Sequence, residues 1–138
     1  MSKQIAIAEI KQIVYETKKD SIVSIAEVNV SQYLDYLEST FKGFVWAESS
    51  WADRVKMLLS IGDITIEFYK DVIDETSEDQ EKALIDIAKI GWQFIKEKFN
   101  IKLPFMLAAF ENKIIEIIIS AAVKFALSKL SKESENVE

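Results

Sequence analysis

The chain has 138 residues, of which 49% are hydrophobic and 29% are charged, and its formal net charge is −6. This acidic balance opposes binding to phosphate backbones, so DNA and RNA are not expected partners. The sequence contains no cysteine and no histidine. Disulfides, thiolate metal sites and every catalytic or metal site that needs imidazole are therefore excluded.

The length of the chain and its few helix-breaking residues indicate one domain built from long helices. We expect one domain with its own core over residues 1–130, followed by a disordered polar tail at 131–138. One proline and three glycines favour a few long helices over many short strands joined by turns. The prediction is an all-α fold, a single bundle of four or five helices.

Two further patterns concern location. The first residues of the chain carry charges and lack the long apolar stretch of a signal peptide. Charged residues also interrupt every apolar run that approaches the length of a spanning helix. We therefore expect a cytoplasmic protein.

The N-terminal segment favours a helix over residues 3–19, because apolar residues recur along one helical face. A strand is the alternative, since Ile5 and Ile7 alternate with small residues. Residues 20–30 are rich in β-branched side chains without a clear period, and we predict an irregular or partly helical connection there.

The next segment predicts a short helix over residues 32–42, with Ser31 as its N-cap. Gly43 is expected to break this helix. Farther on, Ser50 stands three residues before Asp53, and this capping arrangement predicts a long helix that extends to Ile73.

Ser77 followed by Gln80 predicts the start of another amphipathic helix, ending near Phe99. The short turn between these two long helices predicts an antiparallel hairpin. Gly62 and Gly91 are equidistant from that turn, and each lies on an apolar face. We predict that they face each other where the two helices come closest, rather than seating a cofactor or kinking the chain.

Residues 104–130 predict a long apolar helix that begins at Pro104, where the missing donor is not needed. Its dependable polar positions form one narrow stripe: Lys113, Glu116, Ser120 and Lys124. Because most of the circumference is apolar, several neighbours must cover the helix. We therefore place it at or near the centre of the bundle.

Three features could carry chemistry, and each has a simpler interpretation. An acidic cluster surrounds the hairpin turn: Asp71, Asp74, Glu75, Glu78, Asp79 and Glu81. It lacks the glycine-bent loop of a calcium site, so a solvated turn is preferred to a cation site. The three tryptophans, Trp46, Trp51 and Trp92, are expected to be core or interface anchors rather than ligand contacts.

Glu111 is the third feature, because a helical projection places it on the apolar side of the long helix. It lies near the N-terminus of that helix, where a carboxylate reaches solvent and is favoured by the helix dipole. A site carboxylate with a raised pKa is the alternative interpretation.

Function is predicted from the apolar helix and from the missing catalytic residue types. We expect a non-enzymatic interaction or scaffolding protein, without cofactor or metal, that binds a protein partner or itself as a homodimer. The residues expected at this surface or in the core beneath it are Leu107, Phe110, Glu111, Ile114, Ile118 and Phe125. The alternative is a membrane-surface protein whose C-terminal amphipathic helix inserts into the lipid interface. A carboxylate enzyme is a third, less favoured class.

Overall fold

The computed structural model describes residues 1–17, 23–70, 78–103 and 108–136. Within these ranges the chain forms five α-helices and one short 3-10 segment, and no strand. The helices are α1 Lys3–Thr17, α2 Val23–Phe41, α3 Trp51–Tyr69, α4 Glu78–Lys98 and α5 Ala108–Asn136, with the 3-10 segment at Trp46–Glu48. The predicted all-α bundle is confirmed, and the strand alternative for the N-terminal segment is wrong.

Helix α2 corrects the prediction for the segment after α1. It is continuous from Val23 to Phe41, so the segment predicted to be an irregular or partly helical connection is helical from Val23 onward. The prediction that Ser31 caps a helix is wrong, because Ser31 lies inside α2. The low helix propensity of β-branched residues amounts to only tenths of a kcal/mol per residue. Burial outweighs it, since one face of α2 is fully enclosed at Val30, Tyr33, Leu34, Leu37 and Phe41.

The segment between α2 and α3 follows the sequence signals closely. Gly43 has φ +86°, a left-handed conformation that ends α2 and that glycine adopts without strain. The Ser50 side chain accepts a hydrogen bond from the Asp53 backbone N–H at 3.2 Å, which confirms the predicted N-cap of α3. Arg54 then fastens the 3-10 segment to α3, donating from Nε and Nη2 to the Trp46 carbonyl at 2.9 and 2.7 Å.

Helix α4 occupies the centre of the bundle, because it contacts each of the other four helices. Helix α1 packs mainly on α2 and α4, whereas α5 packs mainly on α3 and α4. The prediction that the C-terminal helix lies at or near the centre is therefore not confirmed, since α4 has the most neighbours. Helix α5 also ends at Asn136, so the backbone of residues 131–136, expected to be a disordered tail, is helical.

The two helical glycines each face a third helix. A Cβ built on Gly62 would lie 2.7 Å from the Cβ of Ala122 in α5, and one built on Gly91 would lie 2.7 Å from the Tyr33 hydroxyl in α2. The prediction that they face each other is wrong. Equal distance from a turn fixes the height of two residues along a hairpin, but it does not fix the direction in which each points.

Candidate interaction surface on helix α5

The inner face of α5 anchors the helix to α3 and α4. Its fully or almost fully buried residues are Ile115, Ile119, Ala122, Val123 and Ala126. At 100° per residue these positions span an arc of roughly 100°, one ordinary core-facing side. The close approach at Gly62 brings the α3 backbone against Ala122. This face holds α5 in place and leaves the opposite side of the helix uncovered by the described chain.

The opposite side of α5 is also apolar. Phe110 is 65% exposed, Ile117 63% and Phe125 57%. Ala121 is exposed and Ile114 is half-buried between them. We call these five residues the outer stripe. They fall within an arc of roughly 80° and extend about 22 Å along the helix.

The outer stripe overlaps the residues predicted for interaction. Phe110 and Phe125 are exposed on it, and Ile114 lies within it. Ile118 is half-buried and packs against the core. Leu107 lies outside the described residues.

Glu111, the remaining residue of that prediction, is half-buried in the first turn of α5 and borders the stripe. This position agrees with the interpretation of a carboxylate at a helix N-terminus.

Sequence reasoning missed Ile117 and Ala121. Isoleucine occupies positions 114, 115, 117, 118 and 119. In such a run the hydrophobic pattern does not show which arc faces inward. The signal that finds Ile117 is its spacing from the exposed phenylalanines, seven residues after Phe110 and eight before Phe125, which places all three on one helical side.

Charged side chains border both edges of the outer stripe. Lys113 and Lys124 are exposed along the edge that faces α4, and Lys124 lies 3.9 Å from a Glu81 carboxylate oxygen. On the other edge, Glu111 stands near one end and Lys129 near the other. The Lys129 ammonium lies 4.6 Å from the centre of the Phe125 ring, a cation–π contact.

An open groove of about 440 Å³ runs between α4 and the edge of the stripe. It is lined by Lys89, Lys113, Glu116, Ile117, Ser120, Ala121 and Lys124. The groove therefore carries three lysines and one glutamate, and a second carboxylate, Glu81, lies beside Lys124.

No protein-family model, curated protein or solved structure matches this chain. The outer stripe is therefore interpreted from its own geometry.

The tryptophans are structural in the described part of the molecule. Trp46 and Trp92 are buried, with ring centroids 5.2 Å apart, as expected for core anchors. Trp51 is partly exposed, and the Arg54 guanidinium lies 5.0 Å from the Trp46 ring and 5.1 Å from the Trp51 ring. The two indoles and the Trp46 carbonyl already engage the guanidinium, so these contacts stabilise the start of α3.

Two buried tyrosines lie between α2 and α3. The Tyr33 hydroxyl is 2.7 Å from the Thr65 hydroxyl, which in turn donates to the Ile61 carbonyl at 2.7 Å. Tyr33 therefore acts as the donor to Thr65. Burial raises the pKa of both Tyr33 and Tyr69 well above the ordinary value, so both phenols are neutral at physiological pH. Neutral, enclosed phenols stabilise a core and are poor nucleophiles.

The acidic turn falls largely outside the described residues, since 71–77 are not described. Among the side chains that are described, no three potential ligand residues cluster in a way that could hold a metal ion. Over the same residues, no helix combines the length and the apolar character needed to cross a membrane.

Proposed function

We propose that the protein is a non-enzymatic interaction protein that acts through the outer stripe of α5. One observation carries the proposal. Three large apolar side chains, Phe110, Ile117 and Phe125, are each more than half exposed on one side of a single helix. Singly exposed apolar residues are normal on any protein, whereas a contiguous apolar patch marks a binding surface.

The size of the patch supports the same proposal. A phenylalanine presents roughly 150–250 Å² of surface, so the stripe exposes on the order of 400 Å² in all. Covering it is worth roughly 10 kcal/mol before the costs of association, at about 25 cal/mol per Å². The inner face of α5 is buried separately, so binding at the stripe does not require the bundle to open.

A second candidate function is binding to an anionic membrane surface. The observation that favours it is the pair of exposed lysines, Lys113 and Lys124, beside the apolar stripe, an arrangement typical of interfacial helices. The mixture with Glu111 and Glu116 along the same helix favours a protein partner instead, because an interfacial helix usually carries a strongly cationic polar face.

A photo-crosslinking amino acid at position 117, introduced in the cells that naturally produce the protein, tests the proposal. Position 5 is the matched control, because Ile5 is also a helical isoleucine and is 54% exposed on α1. We expect a discrete protein adduct from position 117 and none from position 5. Equal labelling at both positions, or no protein adduct at position 117, would contradict the proposal.

Two further measurements address the alternatives. Flotation with anionic lipid vesicles in physiological salt should leave the protein in the unbound fraction, whereas co-flotation that depends on Lys113 and Lys124 would favour the membrane function. A cytoplasmic location is part of the proposal, and cell fractionation tests it.

A further inference from the structure

We propose that the outer stripe binds a second copy of this chain, with the two α5 helices antiparallel and a two-fold axis between Ile117 and Ile118. This inference rests on the proposed interaction function and names its partner. A two-fold interface uses the same patch on both subunits, so the patch must be complementary to itself. The outer stripe has this property in the spacing of its side chains and in the charges along one of its two edges.

The spacing of the outer stripe is symmetric about the point between Ile117 and Ile118. Phe110 and Phe125 are equidistant from that point, and so are Ile114 and Ala121. In the antiparallel pair, each exposed Phe110 therefore meets Phe125 of the partner subunit, with two isoleucines at the centre. Ile114 meets the small Ala121 of the partner subunit, which allows the helix axes to approach closely.

The charges at the ends of the stripe are complementary in this arrangement. Lys129 lies over Phe125, and the partner subunit's Phe110 is at the same height along the helix pair. Glu111, next to Phe110 in the chain, lies on the same edge of the interface as Lys129. The cation–π contact thus holds the Lys129 ammonium beside the partner subunit's Glu111, and the two-fold axis repeats this ion pair at the other end.

The area fits a weak dimer. At roughly 400–500 Å² from each subunit, the interface would bury on the order of 800–1,000 Å² in total, at the lower limit for specific association. A dissociation constant in the micromolar range is expected, so the dimer should form and separate as the protein concentration changes.

The other edge of the stripe predicts whether reversing a charge strengthens or weakens the dimer. Lys113 of one subunit and Lys124 of the partner subunit lie on the same edge, offset by about 3 Å along the helix pair. Lys89 lines the adjacent groove together with Glu116, and Glu81 lies 3.9 Å from Lys124 and offsets part of its charge. Like charges at this position weaken the dimer. Lys113→Glu should therefore tighten it, by about threefold to tenfold at low salt.

The matched control for this charge reversal is Lys42→Glu. Lys42 is exposed beyond the end of α2, a helix that packs on α1, α3 and α4. Sedimentation equilibrium of the purified full chain should show a lower dissociation constant for Lys113→Glu and no change for Lys42→Glu. Weaker dimerisation of Lys113→Glu would overturn the proposed orientation. Ile117→Glu should weaken the dimer at least tenfold, whereas Ile5→Glu should not.

Orientation is read directly by disulfide cross-linking, because the chain has no cysteine of its own. We expect purified Phe110→Cys and Phe125→Cys proteins to cross-link when they are mixed and oxidised, since those positions face each other. Neither should cross-link with itself, because the two copies of position 110 lie about 22 Å apart along the helices, beyond the roughly 7 Å Cα limit for a disulfide. Cross-linking of each variant with itself would overturn the antiparallel arrangement.

The outcomes separate this inference from the proposed function. A purified protein that stays monomeric at high-micromolar concentration overturns self-association. If position 117 still captures a different protein in cells, the interaction function stands without the dimer. If the monomer instead floats with anionic vesicles, and Lys113→Glu abolishes that flotation, both the dimer and the protein-binding function are overturned in favour of the membrane surface.

Discussion

Gly62→Ala tests the close contact between α3 and α5. The added Cβ would lie 2.7 Å from the Ala122 Cβ, 2.8 Å from its carbonyl carbon and 2.9 Å from its carbonyl oxygen. Two of these three atoms belong to the α5 backbone, which cannot rotate aside as a side chain does. The substitution therefore forces α3 and α5 apart at a point where both are fully buried.

Two opposing effects set the size of the change. Alanine is favoured over glycine inside a helix by about 1 kcal/mol. Overpacking a close-packed contact costs about 1–3 kcal/mol, and a contact with backbone belongs at the upper end of that range. We expect Gly62→Ala to lower the free energy of unfolding by about 1–2 kcal/mol and the melting temperature by roughly 3–8 °C.

Gly91→Ala is the matched control. Its added Cβ would lie 2.7 Å from the Tyr33 hydroxyl and 2.8 Å from a terminal carbon of Leu37, both ends of side chains that can shift. It should therefore cost about 1 kcal/mol less than Gly62→Ala. In a double-mutant cycle, Tyr33→Phe should relieve part of the Gly91→Ala cost, since it removes the nearest atom. Denaturant titration of the wild type, the three single variants and the Gly91→Ala/Tyr33→Phe double variant measures these differences. If Gly62→Ala proves as well tolerated as Gly91→Ala, the backbone-contact reasoning is wrong.

Two further substitutions and a change of pH have expected effects that denaturant titration also measures. Tyr69→Phe should leave stability unchanged or raise it by up to about 1 kcal/mol, because its buried hydroxyl has no hydrogen-bond partner among the described residues. Ser50→Ala should cost about 1 kcal/mol through loss of the α3 N-cap. Because the folded-state pKa values of Tyr33 and Tyr69 are raised, the stability they contribute is complete below about pH 10 and is lost as pH rises above it. The double variant to phenylalanine should flatten that alkaline decline, as denaturation midpoints at increasing pH will show.

The helices α3 and α4 were predictable because their capping residues and hydrophobic periods agree with the way the helices are buried. Ser50 supplies a cap that the structure confirms. Helix α4 has one polar face and one apolar face along its described length. In α4 the apolar face is enclosed by four neighbours. Where one face of a helix is polar, the period alone decides which side is buried.

The first half of α2 was not predictable by the same reasoning. Its β-branched residues weaken the helical pattern, and Ser31 resembles a cap although it lies in mid-helix. The deciding interactions are tertiary, since Val30 and Tyr33 are buried against other helices. A serine is an N-cap only when its own backbone is non-helical, as at Ser50, and that depends on packing that the sequence does not display.

Helix α5 shows the limit of the hydrophobic pattern most clearly. Ile117 and Ile118 are adjacent and chemically identical, yet Ile117 is 63% exposed and Ile118 packs against the core. Where isoleucines occupy most positions of a helical segment, the hydrophobic pattern is compatible with burial of more than one side. Gly62 lets α3 approach Ala122 closely, and this contact lies on the buried side of α5. The glycine predicted to face the other hairpin helix therefore packs against the inner face of α5 instead.

This geometry also decides which substitutions separate folding from association. A charge at Ile118 perturbs the core contacts of that residue and would weaken folding and binding together, so its effect cannot be assigned to either. A charge at Ile117 is placed in solvent in the isolated subunit, and it becomes buried only when the outer stripe is covered. The buried Ile115, Ile119 and Val123 on one side of α5 therefore contribute to folding, whereas the proposed association would depend on Ile117 on the other side. If Ile117→Glu lowers the free energy of unfolding of the monomer as much as a charge at Ile119 does, the exposed side of α5 also contributes to folding. The separation of a folding side from an association side would then be wrong.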